Sequence, residues 1–209
     1  VFDAPPPFFL YMLELHSHSH CVLLVRMRLL ICGHSIVASL RRNASLFHLC
    51  SVPPGWEIVF DGRPGAHTTH FLSNLPLLVP LPHVVFVILG EKDIGTLSPY
   101  QIVNFLIRLV DYFLRSGVLF VCVGSMVPQA LLRGMGRSQY ARAARQVNLE
   151  LARVFSVSDG VMLCNFRCFR TVYLASDGVH LTLNSQRWLF SQILLYVSRV
   201  LGDRPWCSH

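Results

Sequence analysis

Short apolar runs of strand length recur along this chain and alternate with amphipathic stretches. The runs cover residues 21–32, 56–62, 83–90, 118–124 and 160–164. A continuous apolar run is typical of a strand that is buried on both faces. Strands that alternate with helices are joined by right-handed crossovers, so the pattern predicts a three-layer α/β/α sandwich around a mainly parallel five-stranded sheet.

The stretches between the runs have helical periodicity. Helices are predicted over residues 36–49, near 68–75, from the Ser98-Pro99 cap to Gly117, from a cap at Ser138, and before Leu201. No internal repeat or linker interrupts this order. We expect one domain over residues 26–201, with an N-terminal extension over 1–25 and a C-terminal tail over 202–209.

The composition excludes a disordered chain and raises the question of a membrane span. Of the 209 residues, 53% are hydrophobic and 14% are charged, which is far from a disordered composition. The longest apolar run, residues 72–89, contains three prolines and a histidine within less than a bilayer span. We therefore expect no membrane span, while the excess of apolar surface on so short a chain favours a homo-oligomer.

The cysteines indicate neither a disulfide framework nor a metal site. Their number is seven, without regular spacing, and Cys32 and Cys122 lie inside apolar strands, which favours a reducing, intracellular compartment. Cys164 and Cys168 lack a second pair at zinc-ligand spacing. No metal or cofactor is expected.

The formal charge of +7 has one local concentration. Arg133, Arg137, Arg142 and Arg145 fall in a loop and the first turns of a helix. Two interpretations stay open. One is contact with a polyanion such as nucleic acid, and the other is a solvated helix face.

Polar residues follow the predicted strands where their carboxyl ends meet. These segments are Gly33-His34-Ser35, Gly62-Arg63-Pro64-Gly65, Gly90-Glu91-Lys92-Asp93 and, before the last helix, SDGVHL over residues 176–181. In a parallel sheet the ligand site lies beyond the carboxyl ends of the strands. We therefore expect these four segments to converge on one edge.

The four segments contain the groups that serine-based acyl transfer requires. Ser35 would be the nucleophile, His180 the base, and Asp177 the acid that orients the base. The backbone N–H groups of Ser35 and Gly65 and the side chain of Lys92 would stabilise the oxyanion. The non-catalytic interpretations are that Ser35 is only a helix N-cap and that His180 is a partly buried histidine with its hydrogen bonds satisfied.

This pattern resembles that of the SGNH hydrolases, also called GDSL-type esterases. Their blocks are Gly-Asp-Ser, a glycine, Gly-x-Asn-Asp and Asp-x-x-His, and they are matched in order by Gly33-His34-Ser35, Gly65, Gly90-Glu91-Lys92-Asp93 and Asp177-Gly178-Val179-His180. The resemblance implies a flavodoxin-like α/β fold, a Ser35, His180 and Asp177 triad, and cleavage of a small acyl ester through an acyl-enzyme. His34, Gly90 and Asp93 would be turn or substrate-binding positions.

Two residues depart from the family pattern. Lys92 replaces the asparagine whose amide donates to the oxyanion, and His34 replaces the usual aspartate. Lys92 could instead form an ion pair with Asp93 that holds their loop. The alternative to an esterase is a catalytically impaired SGNH-like binding or assembly module, with or without nucleic acid.

A narrower resemblance rests on two further places in the chain. The segment VCVGSMVP, residues 121–128, and Asn148 in the following helix resemble SGNH-like domains of animal retroelement-type reading frames.

Overall fold

The predicted strands and helices are present in the computed structural model, which describes residues 27–47, 52–127, 134–166, 174–178 and 180–202. The predicted N-terminal extension, the tail beyond residue 202, and Pro128, Arg133, Cys168 and Val179 lie outside these ranges. The strands are β1 (Met27–Gly33), β2 (Trp56–Gly62), β3 (Val84–Ile88), β4 (Phe120–Gly124) and β5 (Val161–Cys164), and the helices are α1 (Ser35–Phe47), α2 (Thr68–Ser73), α3 (Pro99–Arg115), α4 (Arg137–Phe155) and α5 (Leu183–Val200). A single 3-10 turn, Glu91–Asp93, follows β3.

The five strands form one sheet in the order β2-β1-β3-β4-β5, and every neighbouring pair is parallel. This confirms the predicted fold class. Because β1 has β2 on one side and β3 on the other, the strand order reverses at β1. A crevice opens at such a switch point, beyond the carboxyl ends of the strands. The turns after β1 and β3 border it, and these turns carry Ser35 and Lys92.

Side chains on alternate residues of the strands pack into two separate cores. Leu29 and Ile31 of β1 face the core that is covered by α1 and α5, whereas Leu30 and Cys32 face the core that is covered by α2, α3 and α4. This alternation explains the continuous apolar runs, since both faces of each central strand are removed from water.

One predicted helix start is wrong. Helix α4 begins at Arg137, preceded by Gly136, and not at a Ser138 cap. The side chain of Gln139 reaches back to accept from the N–H of Gly136 at 3.2 Å, so a residue in the first turn satisfies the helix end without a serine cap. The Ser98 cap of α3 is confirmed, because its hydroxyl accepts from the N–H of Gln101 at 3.3 Å.

The longest apolar run of the sequence is divided among α2, a loop and β3. In that loop Leu77 and Val79 are exposed. None of the helices within the described ranges has both the length and the apolar character to cross a membrane.

The described cysteines are packed as small apolar side chains. Cys32, Cys122 and Cys164 are buried and form no disulfide. Burial raises the pKa of the Cys32 and Cys164 thiols above the ordinary range. These thiols therefore stay protonated and unreactive, as expected for cysteines inside strands.

Candidate active site

The turn between β1 and α1 is fixed by a close approach to β3. A Cβ atom on Gly33 would lie 1.9 Å from the carbonyl oxygen of Ile88, so only glycine fits there. The N–H of His34 donates to that same carbonyl at 3.3 Å, and the N–H of Arg63 donates to the carbonyl of Gly33 at 2.8 Å. The turn that carries Ser35 is thus held from both neighbouring strands.

His34, not Ser35, occupies the capping position of α1. The carbonyl of His34 accepts from the N–H of Ala38 at 3.2 Å, and its Nδ1 accepts from the N–H of Ile36 at 3.4 Å. The interpretation of Ser35 as an N-cap is therefore wrong, because the preceding histidine satisfies the helix end. Ser35 is the first residue of the helix, and its hydroxyl lies 3.5 Å from Nδ1 of His34.

His34 and Glu91 form a buried pair at the ends of β1 and β3. Nε2 of His34 lies 2.8 Å from Oε2 of Glu91, and the two side chains are 5% and 1% exposed. The other carboxylate oxygen accepts from the N–H of Val127 at 3.3 Å. Each polar atom of this pair therefore has a partner, which a buried carboxylate requires.

Tyr140 extends this buried cluster into α4. Its hydroxyl donates to the carbonyl of Val127 at 2.9 Å. Burial, and then the negative charge of Glu91, raise the pKa of Tyr140 well above its usual range. The turn after β3, the end of β4 and helix α4 are thus joined behind Ser35.

Glu91 is the residue that sequence reasoning missed. It stands at the variable position of the third family block, where no role is implied. The available signal was that His34 and Glu91 each stand in the turn after an apolar strand, although neither is a typical turn residue. Only the neighbouring placement of β1 and β3 shows that they meet.

The two predicted oxyanion residues outside α1 lie in contact. Nζ of Lys92 donates to the carbonyl oxygen of Gly65 at 2.7 Å. Gly65 has a φ of 77°, and a Cβ there would come within 3.1 Å of Nζ, so glycine suits both the backbone conformation and the contact. An ammonium group has three N–H donors, which leaves two for other acceptors.

Asp93 is a structural carboxylate of this edge. It is buried, and its oxygens accept from the ring of His67 at 2.8 Å and from the backbone N–H of Thr68 at 2.9 Å. The alternative ion pair between Lys92 and Asp93 is not formed, because Asp93 is occupied with the start of α2 while Lys92 points to Gly65. Gly90 is a turn residue, with a φ of 117°.

Asp177 and His180 form the predicted dyad. Nδ1 of His180 lies 2.5 Å from Oδ2 of Asp177, and the N–H of His180 donates to the other carboxylate oxygen at 2.9 Å. A bridge between Leu174 and Leu181 closes the loop that carries them. With Nδ1–H given to the carboxylate, Nε2 of His180 retains the lone pair that a general base needs.

The dyad is open to solvent. The side chains of His180 and Asp177 are 47% and 49% exposed, so the interpretation of His180 as a partly buried structural histidine is not supported.

Across the described ranges no hydrogen bond joins Ser35 to His180, and the complete triad stays a prediction. The same ranges contain no group of three or more His, Cys, Asp or Glu side chains arranged to hold a metal ion.

No protein-family model matches the sequence, and a search of curated proteins gives no match. Solved structures do match. A carbohydrate esterase of family 3 from Talaromyces cellulolyticus is 17% identical, with a TM-score of 0.64 over 85% of this chain and 99% of that one. A lipase/acylhydrolase from Enterococcus faecalis is 15% identical, with a TM-score of 0.64 over 87% and 100%.

A member of the lipolytic G-D-S-L family from Veillonella parvula is 16% identical, with a TM-score of 0.60 over 83% of this chain and 99% of that one. The likeness covers nearly the full length of all three structures. The chain therefore has the α/β fold of the GDSL and SGNH esterases.

Proposed function

We propose that this protein is a serine esterase of SGNH type that cleaves a small acyl ester through an acyl-enzyme. The observation that carries the proposal is the hydrogen-bonded Asp177 and His180 pair, which belongs to a segment that leads into α5. Ser35 stands at the switch point of the same sheet. The structural neighbours named as esterases and lipolytic proteins support this reaction class.

In the proposed reaction Oγ of Ser35 attacks the ester carbonyl carbon while Nε2 of His180 takes its proton. Asp177 holds the imidazole through Nδ1–H and stabilises the imidazolium that forms. The tetrahedral intermediate expels the alcohol, which receives the proton from His180. A water molecule then gives a proton to Nε2 of His180 and attacks the acyl carbon. The bond between that carbon and Oγ of Ser35 breaks, Oγ takes the proton from His180, and the carboxylic acid is released.

Lys92 would stabilise the oxyanion together with the backbone N–H groups of Ser35 and Gly65. Its contact with the Gly65 carbonyl holds the ammonium beside one of these donors. The positive charge opposes the developing negative charge, as the asparagine amide of the family does through its dipole. Lys92 would therefore donate from the same position of the third sequence block as the family asparagine, but through a charged ammonium group instead of a neutral amide.

The decisive experiment is covalent labelling of Ser35 by a fluorophosphonate probe, followed by turnover of p-nitrophenyl acetate. We expect labelling that Ser35→Ala abolishes and that Ser45→Ala, on an exposed position of the same helix, leaves unchanged. Absence of labelling in the folded protein would overturn the proposal. It would favour the alternative of an SGNH-like module that binds or assembles without catalysis.

We propose, second, that α4 contacts a polyanion. Arg142 and Arg145 are both exposed on this helix and are three residues apart, while the acidic Glu150 pairs with Arg153. Binding of a fluorescent single-stranded oligonucleotide should weaken with salt, and Arg142→Gln with Arg145→Gln should reduce the log–log slope by roughly 1 to 2. The charge-matched control is Arg108→Gln with Arg115→Gln on α3; equal effects of both pairs would contradict a specific surface.

We infer also that the chain derives from a retroelement-type reading frame, as the segment 121–128 and Asn148 predict. These two places are in contact, since the side-chain oxygen of Asn148 accepts from the N–H of Met126 at 2.8 Å. The contact supports treating them as one motif. Recovery of a reverse-transcriptase reading frame beside this sequence in genomic DNA would test the origin.

A further inference from the structure

The hydroxyl of Ser35 faces a second histidine, which the proposed mechanism does not use. Among the described side chains, the one within hydrogen-bonding distance of Oγ of Ser35 is His34, with Nδ1 at 3.5 Å. Such contacts are often long in ligand-free active sites and shorten in the reacting complex. The neighbour of the nucleophile therefore has the geometry to receive a proton.

The hydrogen bonds around His34 define which ring nitrogen is basic. The N–H of Ile36 is directed at Nδ1, at 3.4 Å, so Nδ1 presents its lone pair. Nε2 then carries the hydrogen and donates it to Glu91 at 2.8 Å. The nitrogen that faces Ser35 is consequently the unprotonated one.

We propose that His34, oriented by Glu91, is a second proton acceptor for the Ser35 hydroxyl. The inference rests on the proposed esterase function and deepens it. The proposed triad of Ser35, His180 and Asp177 is the first set of serine, histidine and carboxylate. Ser35, His34 and Glu91 would form a second set, which differs in the ring nitrogen that donates to the acid. In the first set His180 gives Nδ1–H to its acid, whereas His34 gives Nε2–H to its acid.

The proton balance of this step is the same as for His180, except that Nδ1 of His34 gives up the hydrogen bond from the N–H of Ile36 while it holds the proton. As Oγ of Ser35 forms a bond to the carbonyl carbon, its O–H bond breaks and the proton moves to Nδ1 of His34. The carbonyl π electrons move to the oxygen. When the intermediate collapses, the carbon–oxygen bond to the alcohol breaks, and the departing oxygen takes the proton back from Nδ1.

Burial makes Glu91 an effective partner for this proton. Its side chain is 1% exposed, and that of His34 is 5% exposed. A charge is screened less in such a site than at the surface, so the attraction between the carboxylate and an imidazolium is larger there than for an exposed pair. Ser35 should therefore keep part of its reactivity when His180 is removed.

The test measures the rate constant of fluorophosphonate labelling of Ser35 in His180→Ala, with and without His34→Asn. The expected rate in His180→Ala stays at least about tenfold above the Ser35→Ala blank, and His34→Asn lowers it by a further tenfold or more, since a general base contributes about 10² to 10⁴. The matched control is His83→Asn, which removes a hydrogen-bonded, partly buried histidine at the opposite edge of the sheet. This control should leave the rate unchanged.

Three results have separate meanings. If the unaltered protein is not labelled, the esterase proposal fails, and this inference fails with it. If the unaltered protein is labelled but His180→Ala matches the blank, only the role of His34 is overturned. The same holds if His34→Asn has no effect in the His180→Ala background.

A measurement without substitution covers the case in which His34→Asn does not fold. In protein labelled with ¹⁵N-histidine, NMR should assign His34 as the tautomer with hydrogen on Nε2, with Nδ1 unprotonated. The opposite tautomer would overturn the inference. Glu91→Gln in the His180→Ala background gives the kinetic counterpart, with an expected fall in labelling of about tenfold or more; an unchanged rate would contradict the proposal.

Discussion

The His34–Glu91 pair and the His180–Asp177 pair have the same chemistry in opposite surroundings. His34 and Glu91 are 5% and 1% exposed and lie on turns at the ends of two neighbouring strands. His180 and Asp177 are 47% and 49% exposed and lie on a loop. Burial makes the first pair necessary to the fold, because a partner left alone there loses water without compensation. Exposure leaves the second pair free to exchange protons with little effect on stability.

The largest effect should come from Asp177→Asn. The amide can hold the His180 ring in the wrong tautomer, so we expect the labelling rate of Ser35 to fall by about 10³ to 10⁴. The free energy of unfolding should change by less than about 1 kcal/mol, because the pair is half-exposed. Labelling kinetics and urea unfolding measure the two quantities, and an unaltered rate would show that the exposed pair is not catalytic.

For Glu91→Ala we expect a large effect on the free energy of unfolding, in contrast to Asp177→Asn. The substitution leaves the His34 ring and the N–H of Val127 without their buried acceptor, so the free energy of unfolding should fall by about 3 to 5 kcal/mol. Glu57→Ala is the surface control, since its pair with Arg28 is half-exposed at the glutamate and should be worth less than about 1 kcal/mol. Equal losses in urea unfolding would remove the distinction between the buried and exposed pairs.

Lys92 lies on the same turn as Glu91 of the buried pair and is a proposed oxyanion donor. Substitutions of Lys92 test whether the proposed reaction at the exposed pair depends on this donor. Lys92→Ala should reduce kcat for p-nitrophenyl acetate about a hundredfold through the loss of an oxyanion donor. Lys92→Asn restores the family residue and should stay within about tenfold of the unaltered protein. A rise in KM with constant kcat for Lys92→Ala would instead assign Lys92 to substrate binding.

The smallest effect concerns Tyr140, at the far end of the buried cluster. Tyr140→Phe removes one buried hydrogen bond and should cost about 1 kcal/mol. Because the pKa of Tyr140 is raised in the folded state, the unfolded chain loses this proton first, and the free energy of unfolding falls as pH rises above about 10. The variant should show a smaller alkaline loss. The raised pKa values of Cys32 and Cys164 affect both proteins alike, so an identical alkaline loss would contradict the assignment.

The fold could be predicted from the sequence because its strands are buried on both faces. Val84–Ile88, for example, is apolar and buried at every position, as is typical of a central strand of a parallel sheet. The dyad was also predictable, since Asp177 and His180 are three residues apart and their contact is local. Both features can be recognised within a single stretch of sequence, the dyad from the spacing of its residues and the strands from their continuous apolar character.

The pairing of His34 with Glu91 could not be predicted, because the two residues are 57 positions apart. Their contact depends on β1 and β3 being neighbours, which no local pattern states. The partners of Asp93, which are His67 and Thr68 at the start of α2, could not be predicted for the same reason. The capping role of Ser35 failed because a histidine is an uncommon cap, and nothing in the turn itself signals it.

The loop that carries the dyad has a consequence for how the proposed activity would be lost on heating. In the described part of the chain, the segment that carries Asp177 and His180 is closed by the Leu174–Leu181 bridge and by backbone hydrogen bonds such as the one from the N–H of Ala175 to the carbonyl of His180. Ser35 instead begins α1 directly after β1, a strand that is paired with β2 on one side and β3 on the other. Segments with few backbone bonds open at lower free energy than core strands. Asp177 and His180 would therefore be displaced together on heating, and the proposed esterase activity would be lost at a temperature at which the sheet is still folded.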